Sequence, residues 1–275
     1  MSPDTAGGEG PHQPAVLERA HANHVEAYRA LARAIPKARI EEDSDAVYIR
    51  TELPAPDFNS VFVDHRPGNL DQIIDRARRF FDGWRGPRRI ISTPEAAEAV
   101  RPAAGHLHLA LGEGVPLMIL DPLDRPATPL PEGLSLDRVE DEETLRTYFM
   151  TGALGYGAPR EAFASLTENK DALARVLGTP DWTNYLASIG GLPVATVLRF
   201  TSHRVAGIYF VSTLPEYRRR GIGGAITLRA ALEGNREGCT ISGLQSSSMG
   251  FPVYRRIGYR HAFSYVQWVS GGVRS

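Results

Sequence analysis

Leu17, His21, His24, Tyr28, Leu31 and Ile35 recur at spacings of three and four, which places them on one face of a helix. Short apolar runs at 46–50 and 60–63 read as strands. Asn69 is followed three residues later by Gln72, a helix-start signature. The helix it opens carries Ile73, Ile74, Ala77, Phe80 and Phe81 inward and stops near Gly83. A strand at 89–92 and a short helix at 94–100 follow. Segments 106–111 and 116–120 read as a closing strand pair around Gly112, Glu113 and Gly114. Further on, strands at 183–189 and 193–200 flank the turn Gly190-Gly191, and a third strand spans 205–211. A helix from 222 to 232 buries Ile222, Ala225, Ile226 and Leu232, with Arg229 interrupting the face. Gly234-Asn235 reads as its stop. A strand at 239–244, a short helix at 251–257 and an alternating strand at 262–269 complete the pattern. Strands separated by single helices predict an α/β fold (an α+β mixed sheet) rather than a sandwich.

Between 121 and 131 the pattern breaks: Pro122, Pro126, Pro129 and Pro131 fall within eleven residues. Proline removes a backbone donor and breaks helices, so this stretch reads as a stiff linker. The expected layout is a disordered tail at 1–14, an N-terminal domain at 15–121, the linker at 122–131 and a C-terminal domain at 132–275. The chain of 275 residues, 42% of them hydrophobic, is long enough for two such units. Its formal net charge of -1 gives no bias toward nucleic acid, and no nucleic-acid partner is expected. Nothing resembles an apolar membrane span or a signal-peptide core, so no membrane partner is expected. Cys239 is the single cysteine, which excludes an intrachain disulfide and fits a cytoplasmic location.

The chemistry concentrates where the strand at 205–211 runs through Pro215 into Arg218, Arg219, Arg220, Gly221, Ile222, Gly223 and Gly224 and then into a helix. The first N–H groups of a helix have no partner within it, and the helix dipole adds positive charge there. Such a terminus suits a phosphate. Gly221 and Gly223 leave no Cβ in its way, and the arginines add charge and forked donors. A phosphate loop of the Gly-Lys-Ser/Thr kind is absent. The dinucleotide fingerprint fails because Ile226 stands where its third glycine belongs.

What remains, Arg218-x-x-Gly221-x-Gly223, resembles the pyrophosphate-binding motif of the GNAT superfamily of N-acetyltransferases, as does the lead-in from Val211 to Tyr217. A second segment, from Ser246 to Tyr259, resembles that family's other signature. Tyr254 falls on its tyrosine and Gly258-Tyr259 on its Gly-aromatic pair. Ser247 stands where asparagine is common, and Gly250 where alanine is common. The resemblance spans 134–269. It implies the acyl-CoA N-acyltransferase fold and acetyl-CoA as acyl donor, with no metal. It places Val211, Ser212 and Thr213 along the pantetheine arm and Arg218, Arg219, Arg220, Gly221, Ile222, Gly223 and Gly224 at the pyrophosphate, with Ser247 and Tyr254 also at the cofactor. It further implies attack of a neutral amine on the thioester, with Tyr254 as the acid that protonates the departing thiolate. The acceptor would be a primary amine of a small molecule or peptide. The alternative is a coenzyme A-binding sensor or scaffold without turnover.

The strand at 205–211 carries no carboxylate to serve as base, and His203 at the preceding turn or a relayed water are the candidates. His106-x-His108 lacks a third metal ligand of sensible spacing. Tyr156 and Trp182 lie in segments able to line an acceptor pocket. In the N-terminal half, Asp57-Phe58-Asn59-Ser60-Val61 resembles a segment of two-domain bacterial GNAT proteins. That suggests two tandem GNAT-like domains, the first a degenerate copy without cofactor. The assembly is expected to be a monomer or homodimer.

Overall fold

A computed structural model describes residues 12–126, 129–158 and 163–270. The N-terminal half contains α1 (Pro14–Ala34), β1 (Arg39–Glu42), β2 (Val47–Arg50), β3 (Asn59–Val63), α2 (Leu70–Phe80), β4 (Arg89–Ser92), α3 (Pro94–His106), β5 (Ala110–Leu111) and β6 (Val115–Leu120). The C-terminal half contains β7 (Leu134–Arg138), α4 (Glu142–Gly155), α5 (Ala164–Thr167), α6 (Lys170–Leu177), β8 (Trp182–Ile189), β9 (Leu192–Ser202), β10 (Val205–Thr213), α7 (Ile222–Arg236), β11 (Ile241–Gln245), α8 (Phe251–Arg256) and β12 (Arg260–Val269). Of the expected tail, residues 1–11 lie outside the described residues, and Pro14 is the first residue of α1.

The strands form one mixed sheet in the order β1-β2-β3-β4-β12-β6-β11-β10-β9-β8-β7, with β5 attached to β12. The sheet crosses the proline-rich stretch twice. β6 lies between β11 and β12, and the C-terminal strand β12 also pairs with β4. The two halves therefore share hydrogen bonds as well as side-chain contacts. On one face, α7 buries Ile226 and Ala230 against Ala206 and Ile208. On the other, α1 buries Ala27 and Ala30 against Leu198, Phe200 and Tyr209. Gly207 makes that second contact possible, since a Cβ there would lie 2.0 Å from Asn23 Oδ1.

Several expectations are corrected. Segments 106–111 and 116–120 do not pair with each other. His106 ends α3, His108 adopts a left-handed φ of 54°, and the short β5 joins β12. The two histidines thus do not share a strand face. α3 continues past Val100 through Pro102, because Ala103 and Ala104 are buried and tertiary packing outweighs the lost donor. Gly234 is not a stop but lies inside α7. A Cβ there would meet Ala206 Cβ at 2.6 Å, so the glycine admits the helix to the sheet. The chain turns instead at Gly238, with φ of 97°.

The Asp57–Val61 segment has a structural role built on Asn59. Its buried Oδ1 accepts from the Thr51 and Glu52 amides at 3.0 Å each, and its Nδ2 donates to the carbonyls of Leu53 and Ala55 at 2.9 and 3.0 Å. This fixes the turn that presents Leu53 and Phe58 to the C-terminal half. Arg89, buried behind it, holds the Asp57 carboxylate and donates to Ser60 Oγ.

Candidate active site

The site begins with a fork in the sheet. β10 and β11 pair in parallel from Val205–Ile241 to Ile208–Leu244. Beyond that point β10 keeps only β9, and its register shifts between Tyr209 and Ser212. Phe210 supplies the bulge, with φ of 49°, a strained conformation for a non-glycine residue. Meanwhile β11 continues along β6 to Gln245. The two central strands therefore separate at the level of Tyr209, and an opening forms between them.

The chain leaves β10 through a 3-10 turn at Pro215–Tyr217 and enters α7. Arg219 and Gly221 take left-handed φ values of 63° and 76°, so the loop folds back before the helix starts. Gly221 is the N-cap and no side chain caps the helix. The first helical amide bond is from Ala225 N–H to the Gly221 carbonyl at 3.0 Å, which leaves the amides ahead of it directed at the loop. At Gly223 a Cβ would meet only Thr213 Oγ1, at 3.7 Å. Packing within the protein does not demand glycine there. Gly224 has another reason: Ile257 and Val253 of the α8 segment approach within 3.3 and 3.4 Å of its Cβ position.

Among the arginines, Arg218 is committed to the protein. It donates to the Thr213 carbonyl at 3.2 Å and to the Gly155 carbonyl at 2.8 Å, tying the loop to the end of α4. Its contribution to a pyrophosphate would be the shape of the loop rather than a direct contact. Arg220 bonds the Glu216 carbonyl and stacks on Tyr217, while Arg219 is exposed. On β10, Ser212 is buried and its hydroxyl pairs with Thr196 at 2.9 Å, turned toward β9. The Val211 carbonyl accepts from the Tyr156 hydroxyl at 3.2 Å. Ser247 Oγ accepts from the Gly250 amide at 3.1 Å, which makes it the cap of the turn before α8.

Tyr254 lies in α8, buried with the α7 core and beside Tyr259. Burial pushes its pKa up to about 12, and the Thr227 hydroxyl on α7 pulls the other way. It is thus a protonated phenol across the neutral range. His203 is placed at the wrong end for a base. With Arg204 it forms the left-handed two-residue turn joining β9 to β10, and the nine-residue β10 separates it from the loop by roughly 30 Å at about 3.3 Å per residue. Its carbonyl accepts from Arg19.

Sequence reasoning missed α4, whose Asp141 cap accepts from the Thr144 amide at 2.8 Å. Gly155 brings this helix onto β10, since a Cβ would lie 2.6 Å from Ser212 Oγ. Tyr156 and Trp182 do share a pocket. It sits beside the bulge, and its lining includes Leu31, Leu53 and Phe58 from the first half with Phe149, Trp182 and Phe210 from the second.

Comparison with known proteins places this geometry. A model of the acetyltransferase (GNAT) domain matches residues 141–262. A GCN5-related N-acetyltransferase from Kribbella flavida is 19% identical, with a TM-score of 0.66 over 92% of this chain and 96% of that one. A GCN5-related N-acetyltransferase from Sphaerobacter thermophilus is 17% identical, with a TM-score of 0.55 over 93% and 91%. A tandem GNAT protein from the clavulanic acid biosynthesis pathway is 13% identical, with a TM-score of 0.56 over 95% and 90%. No curated protein matches. Among the described residues no helix is long and apolar enough to cross a membrane, and no group of three or more His, Cys, Asp or Glu residues is placed to hold a metal ion. The forked sheet and the glycine loop opening α7 have the fold of the GNAT acetyltransferases, and the model of that domain matches residues 141–262.

Proposed function

We propose that the chain is an N-acetyltransferase that moves an acetyl group from acetyl-CoA to a primary amine of a small molecule or peptide. The observation that carries this reading is the uncapped start of α7 behind Gly221, opening beside the fork of β10 and β11. The bound donor supplies the acetyl group as a thioester. The amides from Gly221 to Gly224 hold its pyrophosphate, with Arg219 and Arg220 adding charge. The bulged edge of β10, from Val211 to Thr213, bonds its pantetheine arm, and the Tyr156 hydroxyl gives up the Val211 carbonyl when the arm enters. Tyr254 delivers the proton that the departing sulfur needs. β10 has no Asp or Glu, so the amine loses its proton to water at the open end of the fork.

The N-terminal half, read as a degenerate tandem copy, binds no cofactor and builds one wall of the acceptor pocket. A second reading, a coenzyme A-binding sensor without turnover, draws on the strand without a carboxylate and on the raised pKa of Tyr254. Calorimetry with coenzyme A, followed by thiol release from acetyl-CoA with a panel of amines, separates the two. An enzyme binds and releases thiol in an amine-dependent way. A sensor binds and releases none above background, and absence of binding removes both readings.

A further inference from the structure

The pocket beside the bulge has about 40 Å³ of room for the centres of water-sized spheres and is partly open to solvent. None of its thirteen lining residues is charged. Thr196 is already bonded to the Phe210 carbonyl and Ser212, and Asn184 Oδ1 accepts from Trp182 Nε1. Tyr148 is the exception. Its side chain lines the pocket and is buried, and its hydroxyl has no hydrogen-bond partner. Such a group is costly to leave unmet and points to a polar atom on a ligand.

A second ammonium or a carboxylate on the acceptor would lose its hydration in this pocket without gaining a counter-charge. Polyamines, amino acids and aminated sugars are therefore poor occupants. An alkyl or aryl body gains from the same burial. The first half supplies Leu31, Leu53 and Phe58 of the wall, and Phe58 stacks toward Phe210 at 5.6 Å between ring centroids. The pocket thus spans both halves and ends at the bulge where the fork begins.

Resting on the acetyltransferase reading, we propose that the acceptor is a primary monoamine on an apolar alkyl or aryl body with one hydrogen-bonding substituent. The body fills this pocket, the substituent meets the Tyr148 hydroxyl, and the amine faces the fork.

The test uses the full chain, acetyl-CoA and a series from propylamine to hexylamine, with 2-phenylethylamine, tyramine, 1,4-diaminobutane and lysine amide. The expected result is a kcat/KM that rises about fourfold per methylene and is at least tenfold lower for the two dications. Gly152→Leu, which fills the pocket from α4, flattens the series while coenzyme A affinity holds. Should that variant fail to fold, Phe58→Ala reduces the slope from the opposite wall. Tyr148→Phe lowers the preference for tyramine over 2-phenylethylamine. A flat series, a preference for the dications, or a tenfold gain on replacing acetyl-CoA by octanoyl-CoA overturns the proposal, the last by assigning the pocket to the acyl chain. If no amine turns over, calorimetry with 2-phenylethylamine in the presence of coenzyme A decides: binding at least tenfold tighter than diaminobutane supports it, and no binding overturns it. Loss of coenzyme A binding in the wild type instead defeats the underlying acetyltransferase reading, so the two failures are distinguishable.

Discussion

Replacing Tyr254 with phenylalanine removes one oxygen and leaves the ring against Tyr259 and the α7 core. The structural cost is at most that of one side-chain hydrogen bond, about 0.5–1.5 kcal/mol, since Thr227 Oγ1 has no hydrogen-bond partner among the described residues, and a domain with about 5–15 kcal/mol of stability survives it. The catalytic cost follows from the burial of the phenol. General acids contribute about 10²–10⁴ in rate, most when their pKa lies near the working pH. Tyr254 is pushed up to about 12 by desolvation. Transfer to a fully formed thiolate, whose conjugate acid lies near about 8.5, would run uphill by roughly 5 kcal/mol. The proton must therefore move as the carbon–sulfur bond breaks, and the gain falls at the low end of the range. We expect kcat to drop about tenfold to a hundredfold, with coenzyme A affinity and the melting midpoint nearly unchanged. The assay is thiol release at saturating acetyl-CoA and amine, with calorimetry on both proteins. An unchanged kcat alongside unchanged binding would refute the assignment and leave Tyr254 as a packing residue. The wild-type rate should also show no alkaline loss from this group below about pH 10.

Gly223→Val introduces a side chain where only Thr213 Oγ1 is near, so folding should be little affected while coenzyme A affinity falls at least tenfold by calorimetry; retained affinity would contradict a ligand on this loop. His24 is buried, and desolvation, then the charges of His21 and Arg89, lower its pKa to about 3. The unfolded chain then binds a proton between about pH 6.5 and 3 that the folded chain refuses, so stability is fully present above about pH 6.5 and falls on acidification, at up to about 1.4 kcal/mol per pH unit. Urea titrations at pH 7, 6, 5 and 4 should show a shallower loss for His24→Asn than for the wild type. Asn59→Ala strips four backbone partners of a buried side chain and should cost about 2–4 kcal/mol in urea unfolding; a cost under about 0.5 kcal/mol would show that the turn holds itself.

The sequence carried the chemistry of the C-terminal half more plainly than its geometry. A strand, a glycine loop and a helix could be read in order because each obeys local rules, and Asn69 marked α2 through a cap that the structure shows, accepting from the Gln72 amide at 3.1 Å. The bulge at Phe210 could not be read, because a left-handed φ on phenylalanine is imposed by its neighbours and leaves no residue signal. α4 buries Leu145, Tyr148, Gly152 and Gly155 along one face, but the two glycines carry no hydrophobic signal to mark it. Gly234 reads as a stop and serves close packing, while Gly152 and Gly155 let α4 reach β9 and β10. The exchange of β6 and β12 across the linker is a long-range pairing, to which hydrophobic periodicity is blind. Arg218 matched the motif, yet its guanidinium serves the loop itself.

The central claim is that a diphosphate rests on the amides opening α7. Amide resonances of Gly221, Ile222, Gly223 and Gly224, followed by nitrogen–proton correlation spectra, test it most directly. Titration with coenzyme A is expected to shift all four, and titration with pantetheine, which lacks the diphosphate, to leave them in place. If coenzyme A binds while these four resonances stay fixed, the phosphate lies elsewhere and the account is wrong.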